Sequence, residues 1–118
     1  MSEKTKKVTG DEKAVLAKID SWPAPQAKIG RRLHALILDA VPGLKSKLWY
    51  GAAGYGTGGP TLVFFRLDER FSFGLTEKAN VSIEDGAPDL LIGSAWYLTE
   101  LDAPTEARIV EIVKRAVA

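Results

Sequence analysis

The chain has 118 residues, which corresponds to one domain built around one hydrophobic core. It contains no cysteine and a single histidine, His34. This excludes disulfide frameworks, thiolate metal sites, cysteine nucleophiles and multi-histidine metal cages, and it leaves little room for a Ser–His–Asp triad. Sixteen basic and fifteen acidic residues give a net charge of +1, so the overall charge predicts no nucleic acid partner.

The first ten residues are polar and carry Lys4, Lys6 and Lys7. They lack the apolar stretch of a signal peptide, and we predict a disordered basic tail over residues 1–10 and a single domain over residues 11–118. No apolar run approaches the 18 or more residues that a membrane-spanning helix needs. The expected location is the cytoplasm, with no membrane partner.

Three segments have the spacing of amphipathic helices. Residues Asp11–Trp22 form the first, and two prolines, at positions 23 and 25, separate it from a second helix over Gln26–Val41. Pro42 and Gly43 end the second helix. A last helix is predicted over Ala103–Val117, with a proline near its first turn.

Between the helices the apolar period changes from 3.6 to 2. Residues rich in aromatic and β-branched side chains predict four strands, over Lys47–Tyr50, Thr61–Leu67, Arg70–Thr76 and Ala95–Leu101. The stretch Lys78–Gly93 is turn-rich and is predicted to be an irregular lid. This order predicts an α+β fold: a two-layer sandwich whose mostly antiparallel sheet is covered on one face by the N-terminal and C-terminal helices.

Gly54, Gly56 and Gly59 match the G-x-G-x-x-G spacing of a phosphate-binding loop. That loop presents the N-terminus of a helix to a pyrophosphate, whereas here Pro60 and a strand-like run follow. We therefore predict that these glycines form a hairpin turn with positive φ angles.

Aromatic residues are concentrated in the sheet region. Trp49 and Tyr50 are consecutive, as are Trp96 and Tyr97, and consecutive residues of a strand point to opposite faces. Each pair should therefore leave one ring off the helix-covered face, which predicts an aromatic groove on the open face or a dimer interface. The candidate ligand-binding residues are Trp49, Tyr50, Tyr55, Trp96 and Tyr97; ordinary partial exposure is the alternative.

Acidic residues suggest a second kind of site. Glu84, Asp85 and Asp89 could supply oxygen ligands to a metal ion, although they lack the register of a calcium loop, and a solvated turn is the alternative. Asp11 and Glu12 form another acidic pair. No cofactor is expected.

His34 lies on the flank of the second predicted helix. A catalytic role would need a carboxylate brought to it by the fold, and the alternative is a packing residue. No motif that activates a nucleophile is present, so no catalytic residue is assigned and the protein is predicted not to be an enzyme.

The sequence also resembles a known family. The segment Pro42-Gly43-Leu44, then Lys47-Leu48-Trp49-Tyr50-Gly51 and the later Leu62-Val63-Phe64-Phe65, Phe71-Ser72-Phe73-Gly74-Leu75 and Leu91-Ile92-Gly93, is similar to the YdhG-like domain family of unknown function. The resemblance covers residues 11–118. It implies a sandwich similar in outline to frataxin, and some relatives are regarded as intracellular iron chaperones.

These observations together lead to one main functional hypothesis. We expect a non-enzymatic ligand-binding or protein-interaction module that uses an aromatic groove, with an unknown small molecule or protein as partner and a possible homodimer. The alternative is a metal chaperone that binds iron through carboxylates.

Overall fold

The computed structural model describes residues 9–118, which form three helices and one five-stranded sheet. In chain order the elements are α1 (Gly10–Asp20), α2 (Ala24–Ala40), β1 (Lys45–Trp49), β2 (Ala52–Gly56), β3 (Val63–Leu67), β4 (Phe71–Leu75), β5 (Ala95–Tyr97) and α3 (Ala103–Val117). Residues 1–8 of the predicted tail lie outside the described residues. Gly10 was assigned to that tail, yet it already belongs to α1.

The strands lie side by side in the order of the chain, and each pairs antiparallel with the next. Side chains from alternate positions of β2, β3 and β4 meet the apolar stripes of the helices in one core. This confirms the predicted α+β fold. The core includes Val15, Ile19, Leu33, Ile37, Tyr55, Val63, Phe65, Phe71, Phe73, Ile109, Ile112 and Val113.

The helix ends follow from local chemistry. The Thr9 hydroxyl accepts a hydrogen bond from the amide of Glu12 at 3.1 Å and caps α1. Helix α2 begins at Ala24 and not at Gln26 as predicted, since a proline in the first turn lacks only an amide that would have no partner there. Asp102 caps α3, which has the predicted bounds. None of these three helices is long and apolar enough to cross a bilayer.

Strand β2 was not predicted. Its sequence, Ala-Ala-Gly-Tyr-Gly, has no alternation of apolar and polar residues, and four of its five residues are weak strand formers, so its pattern indicated a turn. Gly54 and Gly56 therefore lie in a strand and not in a hairpin turn, and neither has a positive φ. Gly58 and Gly59 lie in the connection to β3, and Gly58 has a φ of 109°. Strand β5 ends at Tyr97, four residues before the predicted end.

Two polar contacts tie the helices and the long connection together. Arg32 on α2 makes two hydrogen bonds, of 2.7 and 2.9 Å, to the carboxylate of Glu106 on α3. The connection from β4 to β5 has neither helix nor strand over Lys78–Gly93, as predicted. It runs along α3, where Arg108 donates to Glu84 at 2.8 Å.

Candidate functional site

The register of the sheet assigns its side chains to two faces. Paired residues of neighbouring strands share a face, and so do residues two positions apart. Tyr55, Phe65 and Phe73 belong to the helix-covered face and are buried. The opposite face, which we call the uncovered face, carries one row formed by Lys47, Gly54, Phe64, Gly74 and Ala95 and a second row formed by Trp49, Ala52, Arg66, Ser72 and Tyr97.

Aromatic rings lie together at the β1 side of the uncovered face. The ring centroids of Trp49 and Phe64 are 5.0 Å apart, and so are those of Trp49 and Tyr50. A methyl group at Gly74 would lie 2.8 Å from the tip of the Phe64 ring, so the ring lies directly on the glycine backbone. The missing side chain lets this ring lie close to the sheet. We call Trp49, Tyr50, Phe64 and Tyr97 the aromatic face.

Tyr50 occupies an unusual backbone position. It forms, with Gly51, the two-residue turn between β1 and β2, and the φ angles of the pair are 50° and 77°. Such a turn matches the twist of a hairpin, and Asn-Gly is its usual sequence. A bulky residue in the left-handed region is a real outlier, and strain of this kind is concentrated at functional sites. The turn leaves the Tyr50 side chain 81% exposed.

Cationic groups alternate with the rings on the same face. Arg66 lies between them on β3, donates a hydrogen bond to the carbonyl oxygen of Tyr50 at 2.7 Å, and forms an ion pair with Asp68 at 3.2 Å. The guanidinium carbon of Arg70 lies 5.0 Å from the centroid of the Tyr97 ring, within the range of a cation–π contact. Lys47 shares the row of Phe64 and is exposed. The uncovered face thus combines flat apolar surfaces with positive charge.

Three of the five predicted ligand-binding residues lie on or beside the uncovered face: Trp49, Tyr50 and Tyr97. The prediction was wrong for Tyr55, which is fully buried because the unpredicted strand β2 turns it toward the helices. It was also wrong for Trp96, which pairs with Phe73 on the helix-covered face and stacks on that ring at 5.8 Å. Trp96 and Tyr97 do point to opposite faces, as the alternation required.

The sequence analysis missed Phe64 and Arg66. Phe64 and Phe65 are consecutive residues of a correctly predicted strand, so one ring had to leave the helix-covered face. The argument applied to Trp49 and Tyr50 would have identified Phe64. Arg66 follows by the same alternation, two positions further along β3.

The structure does not assemble the predicted metal site. Within residues 9–118 there is no group of three or more histidine, aspartate or glutamate side chains that could hold a metal ion. Glu84 instead pairs with Arg108, and a carboxylate oxygen of Asp89 accepts a hydrogen bond from the amide of Leu91 at 3.0 Å. The prediction that Glu84, Asp85 and Asp89 form a site was therefore wrong, because Glu84 pairs with a residue of α3 and Asp89 with a backbone amide of its own connection.

The fold brings a carboxylate to His34, and the contact comes from Glu12 of the second acidic pair. Nε2 of His34 lies 2.8 Å from a carboxylate oxygen of Glu12, and Nδ1 lies 2.8 Å from the Tyr55 hydroxyl. One arrangement of protons satisfies all three groups: Tyr55 donates to Nδ1, and Nε2–H donates to Glu12. Burial, and then the charge of Glu12, raises the pKa of Tyr55 well above 10.0 and keeps the phenol protonated.

This chain of hydrogen bonds is built into the core. His34 is 5% exposed and Tyr55 is fully buried, and both ring nitrogens of His34 have partners within the protein. A general base must reach a proton of its substrate. The arrangement has the properties of a satisfied buried network that joins α1, α2 and β2.

Comparisons with known proteins identify no relative. No protein-family model matches the chain, and neither a curated protein nor a solved structure is significantly similar to it.

Proposed function

We propose that the protein is a non-enzymatic binding module that takes its ligand on the aromatic face. The observation that carries this proposal is the exposure of Tyr50 and Tyr97, which are 81% and 71% exposed at opposite sides of one sheet face. Large exposed aromatic side chains gathered on one surface are typical of interaction sites. The strained turn that presents Tyr50 supports the same conclusion.

The state of His34 supports a binding function over catalysis. It is the only imidazole in the sequence, and its two nitrogens are engaged by Tyr55 and Glu12. Removing either partner to admit a substrate would leave a buried polar group without a hydrogen bond. The aromatic face, by contrast, needs no rearrangement to meet a ligand.

Two further expectations from the sequence belong to this proposal. The resemblance to the YdhG-like family rests on the sequence motifs alone and is kept as part of this proposal. The cytoplasm stays the proposed location on the sequence argument. For the iron-chaperone alternative, the contacts of Glu84 and Asp89 within the protein supply no support.

A thermal-shift screen of the purified protein tests the proposal. Divalent metals and a metabolite library are the probes, since a ligand of the folded state raises the unfolding midpoint by mass action. A shift seen in the wild type should disappear in the double variant Tyr50→Ala/Tyr97→Ala. The matched control is Leu90→Ala/Leu91→Ala, which removes two side chains of similar exposure, 85% and 78%, from the connection beside α3.

The control should keep the full shift. Loss of the shift in both double variants, or its persistence in the aromatic double variant, would contradict the proposal. A selective shift by iron that survives both changes would instead favour the metal-chaperone alternative.

A further inference from the structure

We infer that the aromatic face binds single-stranded nucleic acid, with unpaired bases stacked on its rings and phosphates held by the cations between them. This inference rests on the proposed function and names the class of its ligand. Proteins that bind single strands without sequence preference combine these two elements, a set of stacking aromatics and a positively charged track.

The rings are arranged as a platform for stacking. Phe64 lies against the backbone of Gly74, and Trp49 and Tyr50 continue the apolar surface toward the edge of β1. Tyr97 lies on β5 at the opposite edge. Four gaps between neighbouring strands separate β1 from β5, which places the two ends about 19 Å apart at roughly 4.8 Å a gap. That length suits a strand of a few nucleotides.

The charge of the uncovered face is complementary to a phosphate backbone. Lys47, Arg66 and Arg70 lie on or beside it, and Lys45, two positions before Lys47, lies on the same side of β1. Two acidic residues, Asp68 and Glu69, lie in the turn between β3 and β4, and a carboxylate oxygen of Asp68 lies 3.2 Å from Nε of Arg66. Lys45, Lys47, Arg66 and Arg70 outnumber these two carboxylates, so the uncovered face keeps a positive charge of its own within a chain of net charge +1.

A second copy of the chain fits this face less well. The face is short, because its five strands have five residues or fewer and span about 17 Å along the chain at 3.4 Å a residue. A symmetric dimer would also place the same patch against itself, so that Arg66 and Lys47 would face like charges. Charge complementarity therefore favours an anionic strand.

Fluorescence anisotropy with a labelled oligothymidine of about 12 nucleotides tests the inference on the full chain. Binding should saturate, and the slope of log K against log salt should be about −2 between about 50 and 200 mM salt if three cations contact phosphates. Lys47→Gln should reduce the magnitude of that slope by about 0.7. Lys28→Gln, which removes an exposed charge from α2, should leave it unchanged.

Stacking is tested separately from charge. Tyr97→Ala should weaken binding about tenfold, whereas Tyr97→Phe and Leu90→Ala should keep the wild-type affinity. Lys4, Lys6 and Lys7 can attract any polyanion, so a variant with all three changed to glutamine is measured beside the wild type. In that variant the effect of Tyr97→Ala should persist.

Several results would overturn the inference. They are absence of binding at low salt, an affinity that Tyr97→Ala leaves unchanged, equal binding of an oligoglutamate, and self-association that Tyr97→Ala abolishes. The thermal-shift screen separates this failure from failure of the proposed function. If the oligonucleotide does not bind while another ligand gives a shift that the aromatic double variant abolishes, the binding face stands and only its ligand class is wrong.

Discussion

The hydroxyl of Tyr55 lies 2.8 Å from Nδ1 of His34, and this hydrogen bond joins β2 to α2 inside the core. The two residues are 21 positions apart in the chain. Glu12 extends the contact to α1, so that one buried network crosses three elements. Networks of this kind stabilise a fold only when every member has its partner.

Replacing Tyr55 by phenylalanine should lower the free energy of unfolding by about 1–3 kcal/mol, because Nδ1 of His34 is then buried without a donor. The measurement is urea unfolding at neutral pH. Tyr97→Phe is the control, since that residue is 71% exposed and water replaces any lost contact. Equal stability of the two variants would show that the His34–Tyr55 bond contributes nothing to the fold.

The buried phenol of Tyr55 predicts that the free energy of unfolding falls at alkaline pH. Burial and the charge of Glu12 raise the pKa of Tyr55 well above 10.0 in the folded state. The stability linked to its proton is therefore fully present below the unfolded-state pKa and is lost as pH rises toward the folded-state value. Unfolding free energies from about pH 8 to about pH 11 should fall more steeply for the wild type than for Tyr55→Phe. Parallel curves would contradict this.

Tyr50 is expected to lower the stability of the fold while it contributes to ligand binding. Asn-Gly is the preferred sequence of the turn that Tyr50 and Gly51 form, so Tyr50→Asn should raise the free energy of unfolding by about 1 kcal/mol. The same change should weaken binding of a ligand on the aromatic face. Tyr97→Asn should weaken binding without raising the free energy of unfolding, since Tyr50 is the one non-glycine residue with a positive φ within residues 9–118. A Tyr50→Asn variant less stable than the wild type would disprove strain at this turn.

The contact between α1 and α2 depends on the small size of Gly30. A Cβ atom at this position would lie 2.8 Å from Ile19 and 2.9 Å from the Trp22 ring. Gly30→Ala should therefore destabilise the protein by about 1–3 kcal/mol despite the better helix propensity of alanine. At Gly10, on the first turn of α1, an added Cβ meets nothing within 4 Å. Gly10→Ala should leave the thermal midpoint unchanged or raise it.

Local patterns predicted part of the candidate site. Alternation along β5 correctly separated Trp96 from Tyr97, and the same rule would have found Phe64. The error at Tyr55 came from β2, whose glycines and alanines have no signal of alternation. A strand of that composition forms because its neighbours on both sides supply hydrogen-bond partners.

For the acidic residues, closeness in the sequence predicted a shared site that the fold does not form. Glu84, Asp85 and Asp89 are close in sequence, which suggested a common site, yet Glu84 pairs with Arg108 of α3. Glu12 and His34, by contrast, are 22 residues apart and meet at 2.8 Å. Proximity along the chain is a poor guide to which side chains share a site in a loop without regular structure.

The amino-acid sequence by itself determined the class of the fold and the bounds of its most periodic elements, α3 and β4 above all. Those features depend on interactions within a few residues: caps, prolines and the period of apolar side chains. Only the tertiary structure decided that β2 is a strand, that Tyr55 is buried, and that the aromatic and cationic residues of β1, β3 and β5 share one face. These depend on pairing between distant segments, whose register no local pattern specifies.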